Sequence, residues 1–355
     1  MKHRLSKVQS TLTSLGLDGF LATFLPHIRY LTGFTGSNAI LFYNCRRWYF
    51  LTDARYGVQG EAEVKECKVI VSSRGSIEEL RKRNLMRGVR TLGIDERSMS
   101  LATFKTIKRC FSKLRFRSVD NLIENLAIIK NKNEIEKIRK AVSISDTVFS
   151  EILPFLKAGT RECDIAAEIT YRVRIHGAEG ESFDPIVASG FRSAYPHARA
   201  STKKIRTGEF VLIDFGSRYR GYHSDITRTV HVGVPSLRRR KLYQAVHDAQ
   251  ERAMEKARAG IPAMEVDRVA RESLANDGLA NYFIHPVGHG IGMQVHESPI
   301  ISSNNPYHLA VGNVVTIEPA VYVPGVGGIR IEDDIVIQKN CCRILSTSPK
   351  HLIII

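Results

Sequence analysis

Four carboxylates and one histidine carry the chemistry of this sequence. Asp214 and Asp225 are the two acids of VLIDFGSRYRGYHSDITRTV, residues Val211 to Val230, which reads as two half-apolar strands joined at Arg218–Gly221. The midpoint of the two aspartates falls between Tyr219 and Arg220, so a hairpin closing there sets their side chains opposite each other. Directly opposed Cβ atoms lie roughly 4.5–5.5 Å apart, where like charges repel. Something positive must therefore sit between them, and a divalent cation taking oxygen ligands from both strands is the simplest answer.

VVTIEPAVYVPGVGGIRIEDDIVI, from Val314 to Ile337, repeats the device, with Glu318 and Glu332 symmetric about Gly325 in its turn. Two acidic pairs with the same symmetry argue against coincidence. His289 sits between Gly288 and Gly290, whose bare backbone can pass close to a bound group, and it is the candidate fifth ligand. One nitrogen and several oxygens suit a pair of manganese or cobalt ions better than a closed thiolate zinc site. Two ions roughly 3.5–4 Å apart can share carboxylates and activate a water for attack on a carbonyl. His197 and His296 could each donate a hydrogen bond to a developing oxyanion or shuttle a proton. Strand alternation puts Arg330 and Asp334 on the face of Glu332, as a partner for a carboxylate or substrate and as a supporting acid, and turns Asp333 away.

These residues must be positioned by a second, larger domain. With 355 residues two domains are expected, and the most polar break, Lys130–Asn133, suggests domains 1–126 and 127–355. In the first, apolar residues Leu5, Val8, Leu12 and Leu15 predict a helix, and strands are expected at Gly19–Phe24, Ile28–Thr32, Ala39–Tyr43, Trp48–Thr52, Cys67–Val71 and Thr91–Ile94. That is an α/β unit. The second carries predicted helices at Asn133–Leu156, Arg161–Gly177 with Thr160 as cap, Leu237–Ala259 and Met264–Asp277. A strand is expected at Ser182–Ser189, and Ile353–Ile355 should pack as a strand end.

A net charge of +16 raises nucleic acid as a partner, but the basic runs Arg81–Arg83 and Arg238–Lys241 lack interleaved aromatics and read as solvated faces. Six cysteines without metal-ligand spacing point to a reducing compartment. The polar Ser, Gln and Thr of the first twenty residues do not make a signal-peptide core, and no apolar run has membrane length, so a cytoplasmic protein without membrane association is expected.

The motifs IDFG at Asp214, SDITRT at Asp225, PVGHGIG at His289, HESP at His296, TIEP at Glu318, GIRIED at Glu332 and YPH at His197 resemble those of the pita-bread metallopeptidases, in their proline-specific branch. HIRYLTGFTGSNA and LTDARY resemble the N-terminal domain of Xaa-Pro aminopeptidases, so the likeness covers nearly the whole chain. The resemblance implies an α+β protein in which a creatinase/prolidase-like α/β domain precedes a catalytic domain with a curved antiparallel sheet. It implies two divalent ions, commonly manganese with cobalt or zinc as alternatives, held by Asp214, Asp225, His289, Glu318 and Glu332. Glu318 would help deprotonate a bridging water, and His197 and His296 would position substrate and stabilise the tetrahedral intermediate. The expected activity is that of an Xaa-Pro aminopeptidase acting, as a homodimer, on peptides with proline in second position. An Xaa-Pro dipeptidase is the alternative. A catalytically inactive binding protein of the same fold is disfavoured because all five ligands are present. Ala320 and Ala198 stand where the family usually has glycine, which bears on substrate selectivity.

Overall fold

The strand and helix signals of the first hundred-odd residues assemble into one mixed sheet. The computed structural model describes residues 1–73 and 75–355. The sheet's strands are β1 (Gly19–Ala22), β2 (Ile40–Tyr43), β3 (Trp48–Asp53), β4 (Lys68–Ser72), β5 (Thr91–Ile94) and β6 (Arg115–Ser118), in the order β4-β3-β2-β1-β5-β6. The β3–β4, β1–β5 and β5–β6 pairs are parallel, while β1–β2 and β2–β3 are antiparallel. The expected strand at Ile28–Thr32 is instead part of a helix, Leu25–Thr32. Pro26 in its first turn favours that start, and Gly33, at φ 86°, ends it in the left-handed region. A short apolar run fits either periodicity, and here the flanking residues decide.

The chain divides into two compact units, Met1–Ala127 and Ile128–Ile355. In the second unit the sequence folds twice into a helix pair packed on antiparallel strands. The first half holds helices Lys132–Ile152 and Glu162–Ile175 with β7 (Gly180–Glu181), β8 (Ile186–Ser189), β9 (Phe210–Phe215), β10 (Ser217–Tyr219), β11 (Tyr222–His223) and β12 (Ile226–His231). The second half holds helices Leu237–Lys256 and Ala263–Asn276. Its strands are β13 (Gly288–Gly290), β14 (Glu297–Ile301), β15 (Val314–Ile317), β16 (Ala320–Val323), β17 (Gly327–Arg330), β18 (Asp333–Ile337) and β19 (Cys342–Ile344).

Each half has its own apolar core. Ile144, Val148, Ile165 and Ile169 pack on Val211, Ile213 and Val230 in the first, and Val246, Val266, Val315, Ile317 and Ile335 meet in the second. Each such side chain contributes about 1.5–3 kcal/mol on burial, which fixes the strands that carry the acids. Asn131 and Glu134 form a reciprocal capping box that starts the Lys132–Ile152 helix, close to its expected start. Thr160 does not cap the next helix: Arg161 is the N-cap and makes no side-chain bond there. The expected strand at Ser182–Ser189 begins only at Ile186, because Pro185 before it has no N–H to give a ladder. Ile354 bridges to His231, so the terminal isoleucines do meet a strand.

Candidate metal centre

The two hairpins bring their acids together in different ways. In the β9–β12 pair, Asp214 faces Thr227 and Phe215 faces Ile226, so Asp214 and Asp225 are not directly opposed as the sequence midpoint suggested. The turn is Arg220–Gly221, with φ of 48° and 79°, and two successive positive φ values make the two-residue turn that matches strand twist. Gly221 belongs at its second position, one residue beyond the expected centre. That one step moves every cross-strand partner by two and leaves Asp225 diagonal to Asp214 on the same face, still within reach.

The second hairpin keeps the expected register. Ala320 pairs with Arg330 and Ile317 with Asp333, so Glu318 and Glu332 lie level between the two ladders. A bridge then joins the hairpins, in which the Glu332 N–H donates to the Thr227 carbonyl at 3.1 Å and the Thr227 hydroxyl donates to Glu332 Oε2 at 2.6 Å. His289 arrives on β13 between two glycines that cannot be replaced. A Cβ on Gly288 would stand 2.0 Å from the Thr316 carbonyl oxygen, and one on Gly290 would stand 2.4 Å from that of Ser298.

Asp214, Asp225, His289, Glu318, Glu332, Arg330, His197 and His296 all line one cavity of about 580 Å³. His197 is exposed at its rim, while the acids lie deep. Asp334 is fully buried behind the cavity and accepts the Asp225 N–H at 3.0 Å. Asp333 turns to the other face and pairs with Arg228 at 2.6 Å.

The electrostatics of this cavity are those of a site short of positive charge. One ligand atom each from Asp225, His289 and Glu332 lies within 4.8 Å of the others. His289 Nδ1–H donates to the Gly290 carbonyl at 3.0 Å, which leaves Nε2 as a bare lone pair. That nitrogen stands 3.7 Å from Asp225 Oδ2 and 3.7 Å from Glu318 Oε1, beyond hydrogen-bond range. Asp214 Oδ1, Asp225 Oδ1 and Glu332 Oε1 are buried and find no hydrogen-bond donor among the described residues. Burial and the neighbouring carboxylates push Asp225 and Glu332 well above the ordinary carboxylate range, and burial with Asp214 nearby pushes Glu318 up to about 8. Burial, with His296 beside it, lowers His289 to about 4 and keeps it neutral, as a ligand must be. One imidazole nitrogen and several unpaired carboxylate oxygens fit divalent cations of the manganese or cobalt type.

Arg330 supplies the cavity's buried positive charge. Its guanidinium pairs with Asp214 and donates to Thr227 Oγ1 at 3.0 Å, to the Tyr322 hydroxyl at 2.7 Å and to the Pro196 carbonyl at 3.3 Å. The Tyr322 hydroxyl in turn lies 3.0 Å from His285 Nε2. Burial pushes Tyr322 up to about 12 and His285 down to about 4. Reading the sequence missed Thr227, Tyr322 and His285. His285 stands four residues before His289 and Tyr322 four after Glu318, offsets that strand alternation or a loop could have placed on the same wall.

Known proteins resemble this chain over both of its units. Residues 136–339 match Metallopeptidase family M24, and residues 4–129 match the Creatinase/Prolidase N-terminal domain. An uncharacterized peptidase, YqhT, of Bacillus subtilis is 41% identical over 352 residues, covering 99% of this chain and 100% of the relative. Among solved structures, an Xaa-Pro dipeptidase from Bacillus anthracis superposes with a TM-score of 0.96 at 36% identity, covering 100% of this chain and 99% of that one. An X-Pro aminopeptidase from Thermotoga maritima does so with a TM-score of 0.89 at 39% identity, covering 96% and 98%. With its mixed N-terminal sheet and antiparallel pita-bread catalytic unit, the chain belongs to metallopeptidase family M24.

Proposed function

We propose that this protein is an Xaa-Pro aminopeptidase, removing the N-terminal residue that precedes proline. The observation that carries the reading is the crowd of buried, unpaired carboxylate oxygens around the bare His289 Nε2, in one cavity with Arg330, His197 and His296. Asp214, Asp225, His289, Glu318 and Glu332 would hold two divalent ions, manganese first, with cobalt or zinc as alternatives. Bound there, the ions would supply Lewis-acid polarisation of a peptide carbonyl and a water nucleophile at neutral pH.

The chain's own residues do the rest. Glu318, ionised when cations occupy the cavity, is suited to take a proton from the attacking water and return it to the leaving nitrogen. His296 is kept neutral mainly by burial and can donate a hydrogen bond to the carbonyl oxygen as charge develops, as can His197 at the rim. Arg330 and Asp334 hold Asp214 and the Asp225 backbone in place. A bond to proline has no N–H, so recognition must come from shape, which Pro286, Ile284 and Tyr322 in the cavity wall can provide.

Xaa-Pro dipeptidase is the second reading, favoured by the Bacillus anthracis structure. Both readings share the metal residues and differ in how much chain the cavity admits. We also take the enzyme to be a cytoplasmic homodimer, supported by its six unpaired cysteines and by the sequence resemblance. Purified enzyme loaded with defined metals should cleave both Xaa-Pro and Xaa-Pro-Yaa. Activity confined to the dipeptide selects the dipeptidase. Asp225→Asn and His289→Ala should abolish hydrolysis while circular dichroism stays native, and near-normal turnover in either variant refutes the assignment.

A further inference from the structure

The motif HIRYLTGFTGSNA contributes none of the proposed metal ligands, yet it opens on a buried histidine. His27 lies in the first turn of the helix Leu25–Thr32, with its ring edge-on to Phe24 at 4.9 Å between centroids. Asp95 directly follows β5 and Glu124 lies in the helix Leu122–Ala127, so three separate elements of the N-terminal unit converge on the ring. His27 and Asp95 are only 5% and 6% exposed, while Glu124 is partly open to solvent. Asp95 is itself fixed by the Ser98 hydroxyl at 2.5 Å and the Arg97 N–H at 3.2 Å.

His27 Nδ1 stands 3.5 Å from Asp95 Oδ2, and Nε2 stands 3.5 Å from Glu124 Oε1. Both separations exceed those of an N–H···O bond, about 2.7–3.2 Å. Nε2 is buried and has no hydrogen-bond partner among the described residues. A neutral ring with its one proton turned toward Asp95 leaves Nε2 as a lone pair facing a carboxylate, two acceptors with nothing between them. Donor atoms about 2.1 Å from a tetrahedral ion stand roughly 3.4 Å from each other, close to the 3.5 Å between Nε2 and Oε1. We propose that His27 and Glu124 bind a divalent ion of the zinc class in the N-terminal unit, with water completing its coordination. Asp95 has an oxygen within 4.8 Å of the other two ligand atoms and lies on the opposite ring nitrogen, the place where metal-binding histidines usually carry a carboxylate. With the ring neutral, the two carboxylates balance the charge of one divalent ion.

Equilibrium dialysis of the chelator-stripped full chain against micromolar zinc tests this without turnover, so the outcome stands apart from the peptidase reading. Wild type should hold about one zinc per chain more than His27→Gln, and the difference should persist in a background of Asp225→Asn and His289→Ala, which cripples the larger centre. Glu124→Ala alters a partly exposed residue outside the core and should weaken the same zinc by more than about tenfold, since outer partners alone are worth about 10–100-fold. In nitrogen NMR the His27 ring should shift on zinc addition with a proton on Nδ1 alone. A doubly protonated ring would clamp both carboxylates by itself and leave no place for an ion. Equal zinc stoichiometry and affinity in wild type and both variants, or a His27 ring that keeps two protons in the presence of zinc, overturns the site.

Discussion

Replacing Glu318 by glutamine should stabilise the metal-free protein and destabilise the metal-loaded one relative to wild type. Glu318 is one of four carboxylates around a cavity whose buried cation, Arg330, is already paired with Asp214. Its folded-state value of about 8, against 4.5 ordinarily, means that the empty site disfavours the ionised form. Taken at about 1.36 kcal/mol per unit, that is on the order of 3 kcal/mol of lost stability at pH 7. The sign follows from the raised value: the deficit is complete above pH 8 and fades as pH falls through 8 toward 4.5. Glutamine keeps the shape and drops the charge, so in chelator at pH 7 the variant should gain about 1–3 kcal/mol, or several degrees in Tm for a unit of this size. The gain should shrink steadily toward pH 5. With manganese at about a thousand times Kd, wild type gains roughly 4.1 kcal/mol, more than the variant's advantage, and the order of the two proteins should reverse. Thermal unfolding followed by circular dichroism, with chelator or with manganese across pH 5–8.5, measures all of this. A variant no more stable than wild type in chelator, or a shared response to manganese, refutes the reasoning.

Thr227→Val removes the hydroxyl that donates to Glu332 and accepts from Arg330, while keeping the side chain's volume. Manganese affinity in a chelator-competition titration should fall about 10–100-fold, and an unchanged affinity would show that the bridge does not orient the ligand. Arg228→Met strips the buried partner from Asp333, to which Arg228 donates at 2.6 Å while also donating to the Glu332 and Ser348 carbonyls. Urea unfolding should show a loss of about 3–5 kcal/mol, and a loss below about 1 kcal/mol contradicts the pair's importance. The six cysteines are all unpaired, so a reductant should leave Tm unchanged, and a drop would reveal a disulfide in the native protein.

The acids and His289 were legible because each sits where its type is out of place, on apolar strands or between glycines. The hairpin symmetry of Glu318 and Glu332 survives intact because its longer turn is centred on Gly325. The symmetry of Asp214 and Asp225 misled, because a midpoint assumes the turn's location, while the positive φ values at Arg220 and Gly221 fix it one residue later. Thr227 could not be found from sequence. Its role depends on a bridge to Glu332, a contact between separate hairpins that no local periodicity encodes. The helix Leu25–Thr32 was hidden for a related reason, since Pro26 and Gly33 rather than its apolar residues select it over a strand.

The bridge between Thr227 and Glu332 also sets when the proposed metal ligands come together. Asp214 and Asp225 stand far before Glu332 in the sequence, so the bridge closes only when two stretches remote along the chain have both folded. The five proposed ligands thus meet around one point only after the two halves are joined through Thr227 and Glu332.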